Sequence, residues 1–173
     1  MSSTLSDENW RTCFGQLAPK LLLFARQWLP SVSDAEDVVQ TAFIRFWRKQ
    51  PAASSEHYPL LYAAVRTAAL DLLRRDGRRA RREIEVVQES LENGVAFFQP
   101  DFAQGEAAVA VSAALQRLPD AQREVVVLRI WGELTFQQIA GVLGESINTV
   151  AARYRYGLEA LRRVLKTREY ERV

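Results

Sequence analysis

The sequence has few of the residues that build covalently linked or metal-bound sites. Its 173 residues include one cysteine, Cys13, and one histidine, His57. A single cysteine excludes a disulfide within the chain, and the pair offers too few ligands for a typical Cys/His zinc site. We interpret both as ordinary packed or surface side chains. Because the sequence also shows no activated nucleophile and no Gly-rich phosphate loop, it predicts no enzyme, no metal and no cofactor.

Long apolar runs are missing as well. No run approaches the ~20 residues that a bilayer-spanning helix needs. The first residues, MSSTLSDENWR, lack the basic and then apolar pattern of a signal peptide. The chain is 48% hydrophobic and 25% charged, which is ordinary for a globular protein in solution. We therefore expect a cytoplasmic protein with no membrane partner.

No strand-like alternation persists along the chain, whereas apolar residues recur at the i, i+3, i+4, i+7 spacing of helices. The sequence thus predicts an all-α fold. We expect Ser33 to cap the second helix and Asp76-Gly77 to end the third. The predicted helices cover about 7–28, 34–49, 60–75, 106–118, 120–131, 135–143 and 146–166.

Between these helices the composition changes. Residues 83–106 include six acidic residues and no Lys or Arg. Turn dipeptides occur at Asn93-Gly94 and Gln99-Pro100. This pattern indicates two small helical domains, 1–82 and 107–173, joined by an acidic linker, 83–106. A short acidic helix around 84–91 is compatible with the linker sequence.

The last two predicted helices have the features of a helix-turn-helix. Thr135 is a good N-cap with Gln138 three residues later, Gly144 suits a left-handed turn, and Ser146 caps the next helix. From 146 to 168 that helix has six basic residues and one acidic residue. Such a helix is suited to the phosphates of duplex DNA. An amphipathic helix with a solvated basic face is the alternative.

Helical periodicity divides this second helix into two faces. The spacing predicts a buried stripe of Ile147, Val150, Tyr154, Leu158, Leu161 and Leu165. The small Ala151 and Ala152 would let the helix lie deep in a groove. We expect Arg155 to turn sideways toward a phosphate. The candidate DNA-facing residues are Thr135, Asn148, Thr149, Ala152, Arg153, Arg155 and Tyr156.

Two other segments also resemble binding surfaces. The second helix begins with Asp34, Glu36 and Asp37, which favour the positive end of the helix dipole. The helix dipole explains these acidic residues, but it does not explain why the apolar Ile44, beside Trp47, would face outward. Residues 66–82 hold seven arginines and two acidic residues, and rings lie upstream at His57, Tyr58 and Tyr62. Basic charge beside rings is used to hold single-stranded nucleic acid, although 78–82 alone could equally be a solvated charge run.

Three stretches together, DAEDVVQTAFIRFW, LLYAAVRTAALDLLRR and LPDAQREVVVLRIWGELTFQQIAGVLGESINTVAARYRYGLEALRR, resemble the extracytoplasmic-function group of bacterial sigma factors in the sigma-70 family. The resemblance covers about residues 12–165. It implies binding to core RNA polymerase and recognition of promoter DNA: domain 2 would be 1–82 and domain 4 would be 107–173. It leaves open whether an anti-sigma factor binds the chain.

The resemblance also implies roles for the candidate residues. The residues implied to contact the clamp helices of the largest polymerase subunit are Asp37, Gln40, Thr41, Ile44 and Trp47. Domain 4 would read the −35 element with its helix-turn-helix and rest on the flap of the second-largest subunit. The residues implied to recognise and melt the −10 element are His57, Tyr58, Tyr62, Arg66, Thr67, Asp71, Arg74, Arg75 and Arg78.

The chain departs from the family pattern at several of these positions. Thr41 stands where the family often has Glu or Asp, Leu60 where it has Trp, and Thr67 where it has Asn. The alternative is a stand-alone helix-turn-helix regulator with an N-terminal sensing or dimerising domain. A regulator that binds a sigma factor is a third hypothesis. The acidic start of the second helix and the Arg-rich third helix favour the sigma factor over the stand-alone regulator, because a ligand-sensing domain does not need them. The presence of both nucleic-acid surfaces argues against a regulator that binds a sigma factor.

Overall fold

The structure is a computed structural model that describes residues 2–50, 54–83 and 106–170, with side chains described for 9–50, 54–77 and 109–166. Within these ranges all regular structure is helical, as the sequence predicts. The helices are α1 (Ser2–Ala25), α2 (Val32–Lys49), α3 (Tyr58–Glu83), α4 (Glu106–Gln116), α5 (Asp120–Ile130), α6 (Phe136–Leu143) and α7 (Ile147–Tyr170). A 3-10 turn, Ser55–His57, precedes α3. The expected helix around 84–91 lies outside the described residues.

The N-terminal half is a three-helix unit in which α1, α2 and α3 all contact one another. Aromatic rings fill its interior. Phe24 meets Tyr62 edge to face at 5.5 Å between ring centroids, and Phe43 meets Phe14 in the same way at 4.9 Å. Edge-to-face pairs add ~0.5–1.5 kcal/mol beyond the area they bury. These contacts fix α2 and α3 and so determine which of their faces remain outside.

Two predicted boundaries in this half are wrong. Helix α2 is capped by Ser31, whose Oγ accepts a hydrogen bond from the backbone N of Asp34 at 3.2 Å, and not by Ser33. Each of the two serines is followed three positions later by an acidic residue, so the sequence offers two equivalent N-caps. Helix α3 continues through Gly77 to Glu83. One glycine costs a helix only ~1 kcal/mol relative to alanine, which the neighbouring helix-forming residues offset.

The C-terminal half packs α7 against α4, α5 and α6. Gly157 permits this packing, because a Cβ there would lie 2.8 Å from Cγ2 of Val126 on α5. Val125, Leu128, Ile139 and Val150 are fully buried in the resulting core. The long α7 is therefore held along one side, and its other side is left for solvent or a ligand.

The two halves are in contact. Helix α3 packs on α6, and α1 touches α5. A cleft of about 500 Å³ remains between them, lined by α1, the 3-10 turn and the α5–α6 connection. In the part of the chain that the structure describes, no helix has the length and apolar character needed to cross a membrane.

Candidate polymerase and nucleic-acid interfaces

The turn between α6 and α7 is fixed by three caps that the sequence predicts. Thr135 Oγ1 accepts a hydrogen bond from the Gln138 backbone N at 3.2 Å, and Gln138 Oε1 accepts one from the Thr135 N at 2.9 Å. Gly144 has φ 67°, in the left-handed region where glycine carries no Cβ penalty. Ser146 Oγ accepts from the Thr149 N at 3.1 Å. The caps set the direction in which α7 leaves α6, as in a helix-turn-helix.

Only part of the predicted inner stripe of α7 is buried. Tyr154 packs edge to face on Phe136, with 5.4 Å between ring centroids, and Val150 is fully buried. The prediction for Ile147 is wrong, since 42% of this residue is exposed. Ile147 is the first residue of α7, and helical side chains point back toward the N-terminus, so no earlier turn of the same helix lies beneath it. The buried stripe begins at Val150.

The outer side of α7 near its N-terminus carries residues that differ in exposure. Asn148 is exposed, and Thr149 and Ala152 are half-buried. Arg153 Nη2 donates to Glu145 Oε1 at 2.8 Å, which holds the guanidinium close to the turn. One position on, the Arg155 guanidinium lies 5.0 Å from the centre of the Tyr156 ring, and Tyr156 is 51% exposed. Both residues of this cation–π pair are exposed. Thr135 is exposed at the start of α6.

The outer face of α2 forms a narrow exposed strip. Asp37, Gln40, Thr41 and Ile44 are all exposed and follow the three- and four-residue spacing of one helical side. Ile44 is 43% exposed although it is a large apolar residue. Trp47, half-buried at the end of the strip, stacks on Phe43 with 6.2 Å between ring centroids. An apolar anchor supported by a stacked ring, with a charge and an amide alongside, has the chemistry of a protein-binding surface.

The segment before α3 places two candidate rings in structural contacts. The His57 ring Nδ1 lies 3.2 Å from both the backbone N and the Oγ of Ser54, and so closes the 3-10 turn. The Tyr58 hydroxyl lies 3.6 Å from the Cys13 Sγ, which donates to it. Both rings are half-buried. The His57 contact fixes the local backbone, whereas the Tyr58 contact ties the start of α3 to α1.

Further along α3, Tyr62 and Thr67 make internal contacts. Tyr62 is 1% exposed and packs on Phe24. Burial, and secondly the negative charge of Glu133, raise the pKa of the Tyr62 hydroxyl far above its usual range. Thr67 is exposed, and its hydroxyl donates to the Ala63 carbonyl at 2.9 Å. In this arrangement Tyr62 is therefore covered and offers no ring to a ligand.

Arg66 is also engaged inside the molecule. Its Nε lies 2.7 Å from Glu124 Oε1 and its Nη2 lies 3.5 Å from Glu124 Oε2. Glu124 belongs to α5 in the other half of the chain. Its side chain is 8% exposed and that of Arg66 is 29% exposed. The guanidinium fork thus meets a carboxylate that is almost fully shielded from water.

A second ion pair joins the halves at the mouth of the cleft. Lys20 Nζ on α1 lies 2.8 Å from Glu133 Oε2 in the α5–α6 connection. The hydrogen bond from the Lys20 ammonium lowers the pKa of the Glu133 carboxyl. Glu133 has φ 57°, a left-handed conformation that residues with a Cβ seldom adopt. Such strain persists where surrounding contacts determine the backbone.

The end of α3 carries the remaining candidates. Arg74 Nη1 lies 3.4 Å from Asp71 Oδ1 in an exposed pair, and Arg75 is exposed. The Arg78 side chain lies outside those that the structure describes. No group of three or more His, Cys, Asp or Glu among the described residues could hold a metal ion.

Lys20, Glu124 and Glu133 are contact residues that the sequence did not single out. One sequence feature could have pointed to Glu124: this acidic residue stands directly before the apolar run of α5. In the structure it is buried there. The sequence contains no information on which cation it would meet.

Comparisons with known proteins agree with this architecture. The family model for Sigma-70 region 2 matches residues 13–79, and that for Sigma-70, region 4 matches residues 114–163. The RNA polymerase sigma-E factor of Streptomyces coelicolor is 31% identical over 152 residues, which cover 87% of this chain and 82% of that protein. The corresponding factor of Streptomyces avermitilis is 30% identical over 151 residues, with the same coverage of both chains.

A solved structure of the sigma factor RpoE in complex with the anti-sigma factor NepR from Bartonella quintana shares the fold. The match has a TM-score of 0.69 at 22% identity, and covers 92% of this chain and 98% of the other. The two family models fall on the two helical halves, and the curated relatives extend across both. The stand-alone regulator is therefore not favoured. The chain belongs to the extracytoplasmic-function group of the sigma-70 family of RNA polymerase sigma factors.

Proposed function

We propose that this sigma factor directs core RNA polymerase to promoters through three separate surfaces, and that it catalyses no reaction itself. Domain 2 is residues 1–82, domain 4 is residues 107–173, and the acidic segment 83–106 links them. The observation that carries the proposal is that one chain combines a capped helix-turn-helix bearing exposed Arg155 and Tyr156 with an exposed apolar and acidic strip on α2. Because its partners act on the chromosome, we place the protein in the cytoplasm.

The α2 strip of Asp37, Gln40, Thr41, Ile44 and Trp47 is our proposed contact with the clamp helices of the largest polymerase subunit. Interface anchors combine an apolar or aromatic group with fixed polar neighbours. The exposure of Ile44 and the stacking of Trp47 on Phe43 support this assignment. Domain 4 contacts the flap of the second-largest subunit in the same complex.

The helix-turn-helix is our proposed reader of the −35 element. Arginine bonded to guanine is the commonest specific pairing in the major groove. Glu145 holds Arg153 near the turn. Arg153 therefore lies in the N-terminal part of α7, the part of a recognition helix that contacts base edges. Tyr156 belongs to the groove flank with Arg153, whereas Arg155 is turned to the side, where we expect it to contact a phosphate. Thr135, Asn148, Thr149 and Ala152 complete this surface.

The −10 element is our proposed ligand for α3 and the turn before it. The half-buried rings of His57 and Tyr58 would stack on or enclose unpaired bases, while arginines neutralise phosphates. Tyr62, buried against Phe24, would contribute by holding α3 in place. The exposure of Arg74 and Arg75 supports the assignment, and Asp71 lies 3.4 Å from Arg74 on the same surface. The other residues proposed to contribute are Arg66, Thr67 and Arg78.

A protein inhibitor is a further proposed partner. The solved structures similar to this chain include CnrH in complex with the cytosolic domain of CnrY, at a TM-score of 0.60 and 23% identity. That match and the RpoE–NepR complex both show the fold bound to another protein. We propose an anti-sigma factor for this chain on that likeness.

Promoter selection tests the function. The purified chain is mixed with core polymerase and a library of promoter fragments, and the transcripts are sequenced. We expect transcripts that share two upstream motifs at fixed spacing and that disappear when the chain is omitted. Transcripts with no shared motif, or the same set with core polymerase alone, would refute the proposal.

A further inference from the structure

The ion pair across the turn of the helix-turn-helix carries an inference about how the −35 element is read. We propose that Glu145 is a positioning residue for this reading: it holds the Arg153 guanidinium against one guanine and so sets the base preference of α7. The inference rests on the proposed assignment of the −35 element to this helix. It gives a role in DNA recognition to an acidic residue that directly precedes a strongly basic helix.

The backbone on both sides of Glu145 is fixed. Gly144, in the left-handed conformation, ends α6, and the Glu145 backbone N–H donates to the Ala140 carbonyl at 3.1 Å, a pattern common at helix ends. On the other side Ser146 caps α7 by accepting a hydrogen bond from the backbone of Thr149. The side chain of Glu145 therefore leaves the backbone in a set direction.

The Arg153 side chain extends back along α7 to reach this carboxylate. Its Nη2 donates to Glu145 Oε1 at 2.8 Å, although the two residues are eight positions apart. Arg153 lies two turns into α7, ~10 Å along the axis from the cap Ser146, and helical side chains point toward the N-terminus. The pair thus brings the guanidinium to the first turns of α7, where a recognition helix contacts base edges.

The contact leaves most of the guanidinium available to DNA. An arginine has five N–H donors in a fixed plane, and the bond to Glu145 uses one of them, on Nη2. The guanine edge takes two donors, at O6 and N7. Glu145 therefore braces Arg153 and does not compete with guanine for it. Because the guanidinium is placed before DNA arrives, less side-chain freedom is lost on binding.

The charge of Glu145 favours a role in specificity over a role in affinity. Its side chain is 37% exposed, and a carboxylate on a surface that faces phosphates weakens binding to every DNA sequence. Such a charge is favourable only where it increases the difference in affinity between sequences. Arg155 provides the contrast: its guanidinium lies over the Tyr156 ring, and a phosphate contact carries no sequence information that would require a brace.

The test measures base discrimination by the holoenzyme formed from the full chain and core polymerase. Two promoters compete for it: a selected promoter, and the same promoter with adenine in place of the guanine whose preference depends on Arg153. Removal of a negative charge changes the affinity for both promoters alike, so it cancels from their ratio. Glu159→Ala is the matched control, because it removes an acidic residue of α7 that also pairs with an arginine, Arg163 at 3.5 Å.

We expect Glu145→Ala to lower the preference for the guanine promoter by about fivefold or more, within the range of a mismatched base pair, while Glu159→Ala leaves it unchanged. Glu145→Gln keeps an acceptor oxygen at the same length and should recover part of the preference. Thermal melts of the three variants should be close to the parental melt, because exposed ion pairs contribute little to stability. An unchanged preference in Glu145→Ala would overturn the proposal. A stronger preference would also overturn it, by showing that Glu145 withholds Arg153 from DNA.

A double variant separates positioning from direct contact. If Glu145 acts through Arg153, adding Glu145→Ala to Arg153→Ala should cause no further loss of preference. A further loss, at the same base pair or at a neighbouring cytosine, would overturn the proposal in favour of a direct contact by the carboxylate. If Arg153→Ala alone changes no preference, the proposed reading by Arg153 fails and this inference fails with it. A change with Arg153→Ala but none with Glu145→Ala removes only the inference.

Discussion

The ring of Tyr154 meets the ring of Phe136 edge to face, with 5.4 Å between their centroids and 61° between their planes. This contact joins the two helices of the helix-turn-helix. It also fixes the rotation of α7 about its axis, and therefore which residues face outward. The assignment of the DNA-facing side depends on it.

Tyr154→Ala should destabilise the protein without changing promoter preference. Loss of the ring removes the aromatic pair and leaves a half-open gap, at a cost of ~2 kcal/mol, equivalent to a fall in Tm of ~4–8 °C. Tyr156→Ala is the control on the same helix, since Tyr156 is 51% exposed and its ring lies against the neighbouring Arg155 guanidinium. Thermal melts compare the two. A parental Tm for Tyr154→Ala would show that α7 is rotated from its assigned orientation.

Arg153→Ala should relax sequence preference at one or two positions of the −35 element. A bidentate contact from arginine to guanine is worth ~1–3 kcal/mol of discrimination. The measurement is a promoter-library selection with the variant and the parent. An unchanged preference profile would remove Arg153 from the base-reading surface.

Arg155→Ala should weaken binding to all promoters by a similar factor. A phosphate contact contributes affinity without sequence information, so the slope of log K against log salt should fall by about one. Binding measured at several salt concentrations on two unrelated −35 sequences is the test. A loss confined to one sequence would instead make Arg155 a base contact.

Asp37→Arg should weaken binding to core polymerase at least tenfold, because it reverses the charge beside the apolar anchor of the α2 strip, and residues at the centre of an interface are commonly worth ~1–3 kcal/mol. Glu36→Arg is the matched control: it makes the same change in the same first turns, about 100° around the helix. Circular dichroism should show parental helicity for both. Equal affinity of the Asp37→Arg variant and the parent would exclude this surface.

Neutralising Arg74 and Arg75 should impair open-complex formation on duplex promoters. A template already mismatched around the −10 element should recover part of the activity, because its strands are separated beforehand. Permanganate footprinting on both templates is the measurement. An equal loss on the two templates would indicate phosphate anchoring or a folding defect instead of a role in melting.

Local patterns were sufficient for much of the fold. The capping box at Thr135, the left-handed Gly144 and the Ser146 cap depend on residues three or fewer positions apart, and each is present. Errors arose where local signals were equal or weak. Ser31 and Ser33 are each followed three positions later by an acidic residue, so both fit an N-cap. The energetic cost of Gly77 is too small to end a helix that its neighbours favour.

Contacts between distant parts of the chain could not be predicted in this way. The pairing of Arg66 with Glu124 joins residues 58 positions apart, and no periodicity encodes which surfaces of the two halves will meet. The covering of Tyr62 by Phe24 likewise joins two different helices, α3 and α1. Ile147 shows the same limit at short range: its spacing fits the buried stripe, but it is the first residue of α7 and is 42% exposed.

Transcription from one selected promoter on a linear template tests the central claim most directly. Core polymerase alone, core polymerase with the parent chain and core polymerase with the Asp37→Arg variant are compared by mapping the 5′ end of the transcript. We predict a single start site at fixed distance downstream of the two motifs, present with the parent chain and reduced at least tenfold with the variant. Equal transcription from that site by core polymerase alone would contradict the account.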